Sequence, residues 1–382
     1  MFVLEALRAK YGDALLLHWG PAADPHLAVV DGGPPGVFND ALKPRLAELR
    51  AARGLAAGDP LPIDLMMVSH VDEDHIAGLL QMMRKVQELD EAHQPVPWRV
   101  RRFWHNAFDD LLGNDQVGVG VAGSALSVAS LGDRLLGEGS RLLASVPQGR
   151  SLAKLLSALG LAGNPPFGGL VRRRDAPIAL DGLTLTVVAP LDAELVALQK
   201  TWDTEIKPIL KKEATPAGQA AIAAFVDESV FNLSSLVVLA EHEGKRVLLT
   251  GDARGDHILE GLEQTGRLDA DGSMALDVLK VPHHGSDRNV DADTFRRLRA
   301  RHYLISADGK FDNPDLDTLE MIVAARPDDD FTLHLTYPTD EFNVPAVGTR
   351  LAKFFAKEKA QGRRFEVKTR PSGELAEVLR LA

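Results

Sequence analysis

The segment "IDLMMVSHVDEDHIAG" at 63–78 constrains the fold more than any other part of the chain. Its first seven residues are mostly apolar, as in a strand that is buried on both faces of a sheet. Two histidines and three acids then occupy the six positions 70–75, and a helical pattern begins near residue 75. Burying three carboxylates at the end of a strand costs several kcal/mol unless cations neutralise them. The segment therefore predicts a buried strand that ends in a metal-binding turn.

Strands alternate with helices over most of the chain, which predicts a layered α/β fold. The first part contains predicted strands at 1–8, 13–19, 26–31 and 63–69 and predicted helices at 39–53 and 75–90. After residue 231 the same alternation returns, with strands that end in "RVLLTGD", "LDVLKVPHH", "HYLISADG" and "FTLHLTY". Between these parts lie predicted helices near 122–145, 151–160 and 190–213, and predicted strands at 97–104 and 182–189. We therefore expect two halves of one domain, 1–106 and 231–382, separated by a partly helical insertion or cap at 107–230.

The composition excludes several classes of function. The chain has no cysteine, which excludes disulfides, thiolate metal ligands and a cysteine nucleophile. No apolar stretch approaches the roughly 20 residues that a membrane helix needs, and the charged, alternating N-terminus does not match a signal peptide, so a cytoplasmic location is expected. The net charge of −11 repels polyanions at long range. A nucleic acid would have to meet a local basic patch, for which the arginine runs at 99–102, 171–175 and 295–302 are candidates, although solvated surface explains each run equally well.

Metal-ligand residues follow several of the predicted strands, where functional groups of such folds collect. Residues two apart in an extended turn point the same way, so the first three ligand candidates of the turn can converge, whereas the adjacent pair at 74 and 75 can serve two ions. Imidazole and carboxylate ligands without sulfur suit Zn²⁺, Mn²⁺ or Fe²⁺, and the many carboxylates favour Mn²⁺. The predicted metal ligands are His70, Asp72, Asp74, His75, Asp252, His283 and His284.

The sequence His70-x-Asp72-x-Asp74-His75 resembles the His-x-His-x-Asp-His signature of the metallo-β-lactamase superfamily, with aspartate in place of the second histidine. Together with "LLTGDA" and "LKVPHHGS", this variant resembles the metallo-β-lactamase-like domain of ComEC-type DNA-uptake proteins and their stand-alone relatives. The resemblance runs from "YGDALLLHW" to about residue 325, apart from much of 107–230. It implies an αββα four-layer sandwich and a hydrolase with two divalent ions, Zn²⁺ or Mn²⁺.

The resemblance also implies a role for each ligand. His70, Asp72 and Asp252 would hold one ion, and Asp74, His75, Asp252 and one histidine of 283–284 the other, with a slight preference for His283. The usual third-motif histidine has no clear counterpart, because the matching strand start offers only Asn232. A one-metal enzyme therefore stays open as an alternative. The predicted catalytic residues are Asp72, Asp74 and Asp252, of which Asp252 would bridge the ions and the other two would orient the attacking water.

Other polar residues near the strand ends are candidates for substrate binding. They are Ser286, Lys280, His105, Asn106 and Asn232, and each also has a structural explanation, such as helix capping for Ser286 or a salt bridge for Lys280. Asp31 and Asp13, which lie beside glycines, are interpreted as structural residues of loops near the site.

Three functions fit these features. The first is a phosphodiesterase, with DNA as the favoured substrate, because the motifs resemble ComEC and the site is rich in oxygen ligands. The second is a hydrolase of a small molecule such as a cyclic nucleotide, lactone or ester, with 107–230 as a lid. The third is a non-catalytic metal-binding partner in a larger, operon-encoded system. The sequence leaves the oligomeric state open.

Overall fold

The computed structural model describes residues 1–56, 58–107, 111, 138–201, 203–204 and 234–381. Its strands are β1 (Phe2–Leu7), β2 (Leu15–Trp19), β3 (His26–Val30), β4 (Leu61–Ile63), β5 (Leu65–Met67), β6 (Trp98–Val100), β7 (Phe103–Trp104), β8 (Ile178–Leu180), β9 (Leu183–Ala189), β10 (Val237–His242), β11 (Lys245–Leu249), β12 (Met274–Lys280), β13 (Leu298–Ile305), β14 (Phe331–Leu335), β15 (Phe365–Thr369) and β16 (Ala376–Arg380). Its α-helices are α1 (Lys43–Ala52), α2 (Glu73–Glu91), α3 (Glu138–Ala158), α4 (Asp192–Thr201), α5 (Gly255–Gln264), α6 (Ala292–Arg297), α7 (Leu316–Ala325) and α8 (Pro345–Ala360).

Two mixed sheets contain nearly all of these strands. The smaller sheet has the order β16-β1-β2-β3-β5-β7, and the larger has the order β15-β14-β13-β12-β11-β10-β9-β8. In the smaller sheet β3, β5 and β7 are parallel neighbours. In the larger sheet β11 to β15 are all parallel. The strands whose carboxyl ends lead into predicted ligands, β5 and β11, are therefore interior strands with a neighbour on each side.

The hydrophobic core divides into three layers. One apolar cluster lies between the sheets and includes Leu4, Met67 and Val278. A second joins the outer face of the smaller sheet to α1, α2 and α3, and a third joins the outer face of the larger sheet to α5, α6, α7 and α8. Each sheet is thus covered by helices on one face and by the other sheet on its second face. The predicted αββα four-layer architecture is confirmed.

The long predicted strand at 63–69 is interrupted. Asp64 is buried and accepts hydrogen bonds from Leu27 N (3.2 Å) and Arg101 Nη1 (2.5 Å), so the chain bends there and pairs differently on each side. The residues before it form β4, which pairs with β6, and those after it form β5. A single strand is therefore wrong, although the ligand turn still follows a buried strand end.

Within the segment 107–230, β8 and β9 belong to the larger sheet, because β9 pairs with β10. The predicted helix at 151–160 is the second half of α3, whose Leu152 and Leu156 join the core beside α2. Most of the predicted helix at 122–145 lies outside the described residues. The predicted helix at 190–213 corresponds in its first part to α4, and most of its later residues also lie outside the described residues. The division of the chain at residues 107 and 230 stays a prediction. Among the helices of the described ranges, none combines the length and the apolar composition that crossing a bilayer requires.

Candidate metal centre

Three strand ends deliver the predicted ligands to one place. β5 continues into Ser69 and His70, and α2 begins at Glu73 directly after Asp72, so that Asp74 and His75 lie in its first turn. β11 continues into Gly251 and Asp252. After β12, the turn Pro282–Gly285 holds His283 and His284 at φ values of 48° and 56°. Two consecutive left-handed residues are uncommon outside glycine, and this backbone turns both imidazoles toward Asp252.

Asp252 is the centre of the cluster. Its Oδ1 lies 3.3 Å from His75 Nε2, and its Oδ2 lies 3.6 Å from His284 Nε2, 3.7 Å from His70 Nε2 and 3.8 Å from His283 Nε2. Asp252 is also buried, with 4% of its surface exposed. One carboxylate thus lies close to four imidazoles, and the bridging role that the resemblance implies for Asp252 stays a prediction.

The remaining two carboxylates lie on opposite sides of Asp252. Asp72 Oδ2 is 3.5 Å from His70 Nε2. Asp74 Oδ2 is 3.3 Å from His284 Nε2, and Asp74 Oδ1 is 3.9 Å from His75 Nε2. The contacts therefore form two half-sites, His70 with Asp72 and Asp74 with His75 and His284, which share Asp252 and lie close together, because His75 also groups with His70.

The adjacent histidines of the turn take different positions. His284 is buried and belongs to the half-site of Asp74 and His75. His283 is 32% exposed at its side chain and approaches Asp252 from the same oxygen as His70. The slight preference for His283 as the ligand beside Asp74 and His75 does not match this geometry. His283 instead lies beside the half-site of His70, Asp72 and Asp252.

A second layer of acids orients the buried histidines from behind. Asp31 Oδ2 accepts a hydrogen bond from His75 Nδ1 at 2.9 Å and from Ser69 Oγ at 2.7 Å, while Asp31 Oδ1 accepts one from Ser69 N at 2.7 Å. His284 Nδ1 donates to the Ser306 carbonyl at 2.9 Å and lies 3.5 Å from Asp13 Oδ1. Because each Nδ1 carries the proton in these contacts, each Nε2 lone pair is directed at the centre of the cluster. This is the arrangement that metal-bound histidines have in proteins.

Lys280, one of the predicted substrate contacts, is buried in an ion pair. Lys280 has the same parity on β12 as Val278, so its side chain points between the sheets and is fully buried. Its Nζ lies 2.5 Å from Asp13 Oδ2 and 3.8 Å from Asp252 Oδ1. The salt-bridge alternative is the one that the structure shows, and Lys280 neutralises part of the buried negative charge beneath the cluster.

Charge compensation within the cluster shifts several pKa values. Burial alone would lower the pKa of His75, but the carboxylates of Asp252, Asp31 and Asp74 outweigh it and hold that pKa well above the usual value. Burial would raise the pKa of Asp252, but the surrounding imidazoles hold it well below its usual range. Asp72 differs, because burial and the charge of Asp74 raise its pKa. The carboxylates therefore demand nearby positive charge, which either protons on the histidines or divalent cations can supply.

The nitrogen and oxygen atoms of the cluster are better placed to bind a metal ion than to form hydrogen bonds with one another. His75 Nε2, His284 Nε2 and Asp252 Oδ1 are buried and make no well-formed hydrogen bond with any described residue. Leaving such groups unsatisfied costs free energy, whereas donor atoms around one cation with bonds of about 2.1 Å lie roughly 3–4 Å apart. The observed separations of 3.3–3.9 Å fall in that range. The donor set therefore fits divalent cations.

The other predicted substrate contacts have different outcomes. Asn106 is buried, and its amide donates to the Val171 carbonyl (2.7 Å) and accepts from Val171 N (2.9 Å), so the structure gives it a structural role and its substrate contact stays a prediction. His105 is also buried, with its backbone held on both sides by Asn164, and burial lowers the pKa of its imidazole to about 4. Ser286 ends the histidine turn and is buried, so its role stays a prediction. Asn232 lies outside the described residues.

Comparison with known proteins gives a fold likeness and nothing closer. No protein family model matches the sequence, and no curated protein matches it. Solved structures that it resembles include the metallo-β-lactamase fold protein YhfI from Bacillus subtilis, with 11% identity, 99% of both chains covered and a TM-score of 0.39. Another is Zn²⁺-bound PqqB from Methylobacterium extorquens, with 11% identity, coverage of 99% of this chain and 100% of that one, and a TM-score of 0.37. The fold itself, as its own sheets and helices show, is an αββα four-layer sandwich. A metallo-β-lactamase family protein from Thermus thermophilus is 16% identical over 68% of each chain, with a TM-score of 0.30.

Asn289 is a site residue that the sequence did not predict. Its Oδ1 accepts a hydrogen bond from His283 Nδ1 at 2.8 Å, and its amide donates to the Asp252 carbonyl at 2.7 Å. It thereby joins the histidine turn to the strand end that carries the shared carboxylate. Its position six residues after His283, in "HHGSDRN", carries no motif of its own, so only the three-dimensional contact reveals it.

Proposed function

We propose that this protein is a metal-dependent hydrolase that cleaves phosphodiester bonds, with DNA as its substrate. The observation that carries the proposal is the pair of half-sites that share Asp252, with the Nε2 atoms of His75 and His284 buried and directed at its carboxylate. A cluster of this composition is costly to bury without cations.

Two divalent ions, Mn²⁺ or Zn²⁺, are proposed as the cofactors. His70, Asp72 and Asp252, with His283 beside them, would hold one, and Asp74, His75, His284 and Asp252 the other. Bound there, such cations supply an activated water and neutralise the charge that develops on the attacked group. The carboxylate-rich ligand set favours Mn²⁺ over Zn²⁺.

The proposed roles of the site residues follow from how exposed their side chains are. The side chains of Asp72 and Asp74 are 19% and 22% exposed, whereas those of His70 and His75 are fully buried. Substrate therefore approaches from the carboxylate side of the cluster. On that side Asp72 and Asp74 accept hydrogen bonds and orient the attacking water, while Asp31 and Asp13 hold the buried imidazoles in place from the other side.

Phosphodiesters suit this site better than carboxylic esters do. Hard oxygen ligands favour cations that coordinate phosphoryl oxygens, and two cations that share a carboxylate can stabilise both the attacking and the leaving oxygen. The motif resemblance to ComEC-type proteins supports DNA as the polymer.

An activity panel on metal-stripped protein tests the proposal. The protein is reloaded with Mn²⁺, Zn²⁺ or Mg²⁺ and incubated with plasmid DNA, single-stranded DNA, RNA, a cyclic dinucleotide, a chromogenic phosphodiester and a lactone. We expect cleavage of DNA with Mn²⁺ and no turnover of the lactone. Turnover of only the lactone or the cyclic dinucleotide would contradict a DNA phosphodiesterase and favour a small-molecule hydrolase.

The matched control is the double variant Asp74→Ala, His75→Ala, which removes one half-site. We expect it to lose at least about 100-fold in rate, because both residues would contact the cation that orients the reacting group. Full activity in this variant would exclude the cluster from the reaction.

A further inference from the structure

The three arginine runs lie at different edges of the sheets. The runs at 99–102 and 295–302 lead into the amino ends of β7 and β13, and the metal cluster lies beyond the carboxyl ends of their parallel neighbours β5 and β12. Those two runs are therefore at the edge opposite the cluster. The run at Arg172–Arg174 differs and lies at the same edge as the cluster.

The smaller sheet holds this run at the edge that carries the cluster. β7 runs parallel to β5, and Val68 N donates to the Trp104 carbonyl at 2.9 Å, so the residues after Trp104 lie beside the ligand turn. There Asn106 holds the backbone of Val171 on both sides, at 2.7 and 2.9 Å. The arginines follow Val171 directly.

The larger sheet holds the run from its other side. Arg173 N donates to the Pro190 carbonyl at 2.9 Å, and Pro190 follows the carboxyl end of β9. Ala189 pairs with Val237 at the start of β10, and the preceding Leu236 N donates to the Ser69 carbonyl at 2.8 Å. Ser69 precedes His70. The arginine run is thus separated from the first metal ligand by about three strand spacings, or about 14 Å.

The arginines line an open cavity of about 640 Å³, which we call the arginine pocket: Pro166, Phe167, Gly168, Gly169, Leu170, Arg172, Arg173, Arg174, Asp175 and Asp192. Arg172 pairs with Asp192 at 2.6 Å and Arg173 with Asp175 at 2.5 Å, and these aspartates are 55% and 82% exposed. Arg174 lies over the ring of Phe167, with 5.5 Å to its centre, and has no ion pair with a described residue. Two ion pairs in solvent and one uncompensated guanidinium leave the pocket with a positive charge.

We propose that the arginine pocket binds a backbone phosphate of the nucleic-acid strand a few nucleotides away from the bond that is cleaved at the metal cluster. The proposal rests on the proposed phosphodiesterase function and adds the substrate class, a single strand longer than the cluster itself. Arginine binds phosphate oxygens in bidentate fashion, and exposed ion pairs such as those with Asp175 and Asp192 exchange for a phosphate at little cost. A gap of about 14 Å, or three strand spacings, means that a strand has to extend beyond the cleaved bond to reach the pocket.

The test begins with binding in the absence of cleavage. A fluorescent 12-nucleotide single strand is titrated with wild-type protein in a metal chelator, at several salt concentrations. We expect the triple variant Arg172→Gln, Arg173→Gln, Arg174→Gln to weaken binding at least about 10-fold and to reduce the salt slope by about 0.7, which is the contribution of one phosphate contact on a single strand. The matched control is Arg296→Gln, Arg299→Gln, Arg301→Gln, the same loss of charge at the opposite edge, which should bind as the wild type does.

Equal weakening in both triple variants, or none in the first, would overturn the proposal. So would arginine-dependent binding of a mononucleoside diphosphate as tight as that of the 12-mer, because the pocket would then serve a small ligand. The single variant Arg174→Gln, which removes only the uncompensated guanidinium, should show part of the effect if the triple variant folds poorly. Thermal unfolding followed by circular dichroism shows whether the triple variant folds poorly.

Kinetics with the metal-loaded enzyme then separate this pocket from the reaction centre. We expect the first triple variant to raise KM for a long single strand at least about 10-fold with kcat unchanged, and to leave turnover of a small chromogenic diester unaltered. Unchanged KM in an active enzyme would refute the pocket and leave the phosphodiesterase in place. Arginine-dependent binding without any hydrolysis would support the pocket and refute the phosphodiesterase.

Discussion

At the scale of single residues, the sequence predicted which side chains form the cluster better than it predicted the residues that contact them. The turn at 70–75 is predictable because two histidines and three acids cannot be buried together without compensation. Asp31 and Asn289 are not predictable as partners of His75 and His283, since they lie 44 and 6 residues away and carry no motif. Lys280 could not be assigned because a lysine at a strand end can turn either way, and only the parity along β12 decides that it points between the sheets.

The substitution Asp31→Asn tests whether the second layer sets the direction of the His75 lone pair. Ser69 N donates to Oδ1, which fixes the amide oxygen there and places the new NH₂ group against His75 Nδ1. His75 would then carry its proton on Nε2, the atom that faces the cluster. We expect the affinity for Mn²⁺, measured by calorimetry on metal-stripped protein, to fall about 10- to 100-fold.

The matched control for this change is Asp24→Asn, the same substitution on an exposed loop. It should bind Mn²⁺ as the wild type does. An Asp31→Asn protein with unaltered Mn²⁺ affinity would show that the hydrogen bond to His75 does not organise the site.

At the scale of elements, the position of α2 depends on two glycines. Gly78 lies against Gly32 so closely that a Cβ at position 78 would lie 1.9 Å from the Gly32 carbonyl oxygen. The two segments also exchange hydrogen bonds, from Gly78 N to the Gly33 carbonyl at 3.0 Å and from Gly32 N to the His75 carbonyl at 2.7 Å. The first turn of α2, which carries Asp74 and His75, is therefore held directly against the turn after β3.

The substitution Gly78→Ala should displace this helix start. We expect a loss of about 1–3 kcal/mol in the free energy of unfolding, as for other overpacked positions, together with at least about 10-fold weaker Mn²⁺ binding because two ligands move. Urea denaturation and calorimetry measure the two effects. Gly58→Ala is the control, since a Cβ there meets nothing within 4 Å, and wild-type behaviour of the Gly78 variant would contradict this account of the helix.

A second element contact ties α1 to the smaller sheet and makes stability depend on pH. Glu5 on β1 is buried and accepts hydrogen bonds from Arg45 at 2.7 and 2.9 Å, with His18 Nε2 at 3.1 Å. Burial opposes its charge, but Arg45 and His18 outweigh burial and lower the pKa of Glu5 to about 2. Because the folded pKa lies below the unfolded value of 4.5, the stabilisation is complete above about pH 4.5 and disappears as the pH falls through 2.

Glu5→Gln should remove this pH dependence. With about 1.4 kcal/mol for each unit of pKa shift, we expect the wild type to lose about 3 kcal/mol more than the variant between pH 4.5 and 2. Denaturant unfolding at several pH values measures the difference. Glu263→Gln, on the exposed face of α5, should retain the wild-type profile, and parallel profiles for wild type and Glu5→Gln would disprove the contribution of Glu5.

At the scale of the whole molecule, the alternation of strands and helices predicted a layered α/β fold, and the resemblance to metallo-β-lactamases implied its αββα arrangement. The apolar runs of β5 and of the carboxyl ends of β11 and β12 are buried on both faces, which is why they are continuous and easily recognised. The membership of β9 in the larger sheet was not predictable, because its partner β10 follows it at a distance of nearly fifty residues and pairing over such a separation leaves no local signal. The position of the arginine run was not predictable for the same reason, because the run is held by the residue after β9 and by Asn106, and these contacts leave no local signal in the sequence.

If Asp252 joins two cation sites, the number of metal ions bound per chain depends on its carboxylate. Metal-stripped wild type and Asp252→Asn are dialysed to equilibrium against Mn²⁺, and bound metal is determined by mass spectrometry, with Asp269→Asn as the surface control. We predict about two ions per chain for the wild type and the control, and fewer than one for Asp252→Asn, because both half-sites lose their shared carboxylate. Equal metal content in wild type and Asp252→Asn would contradict the account.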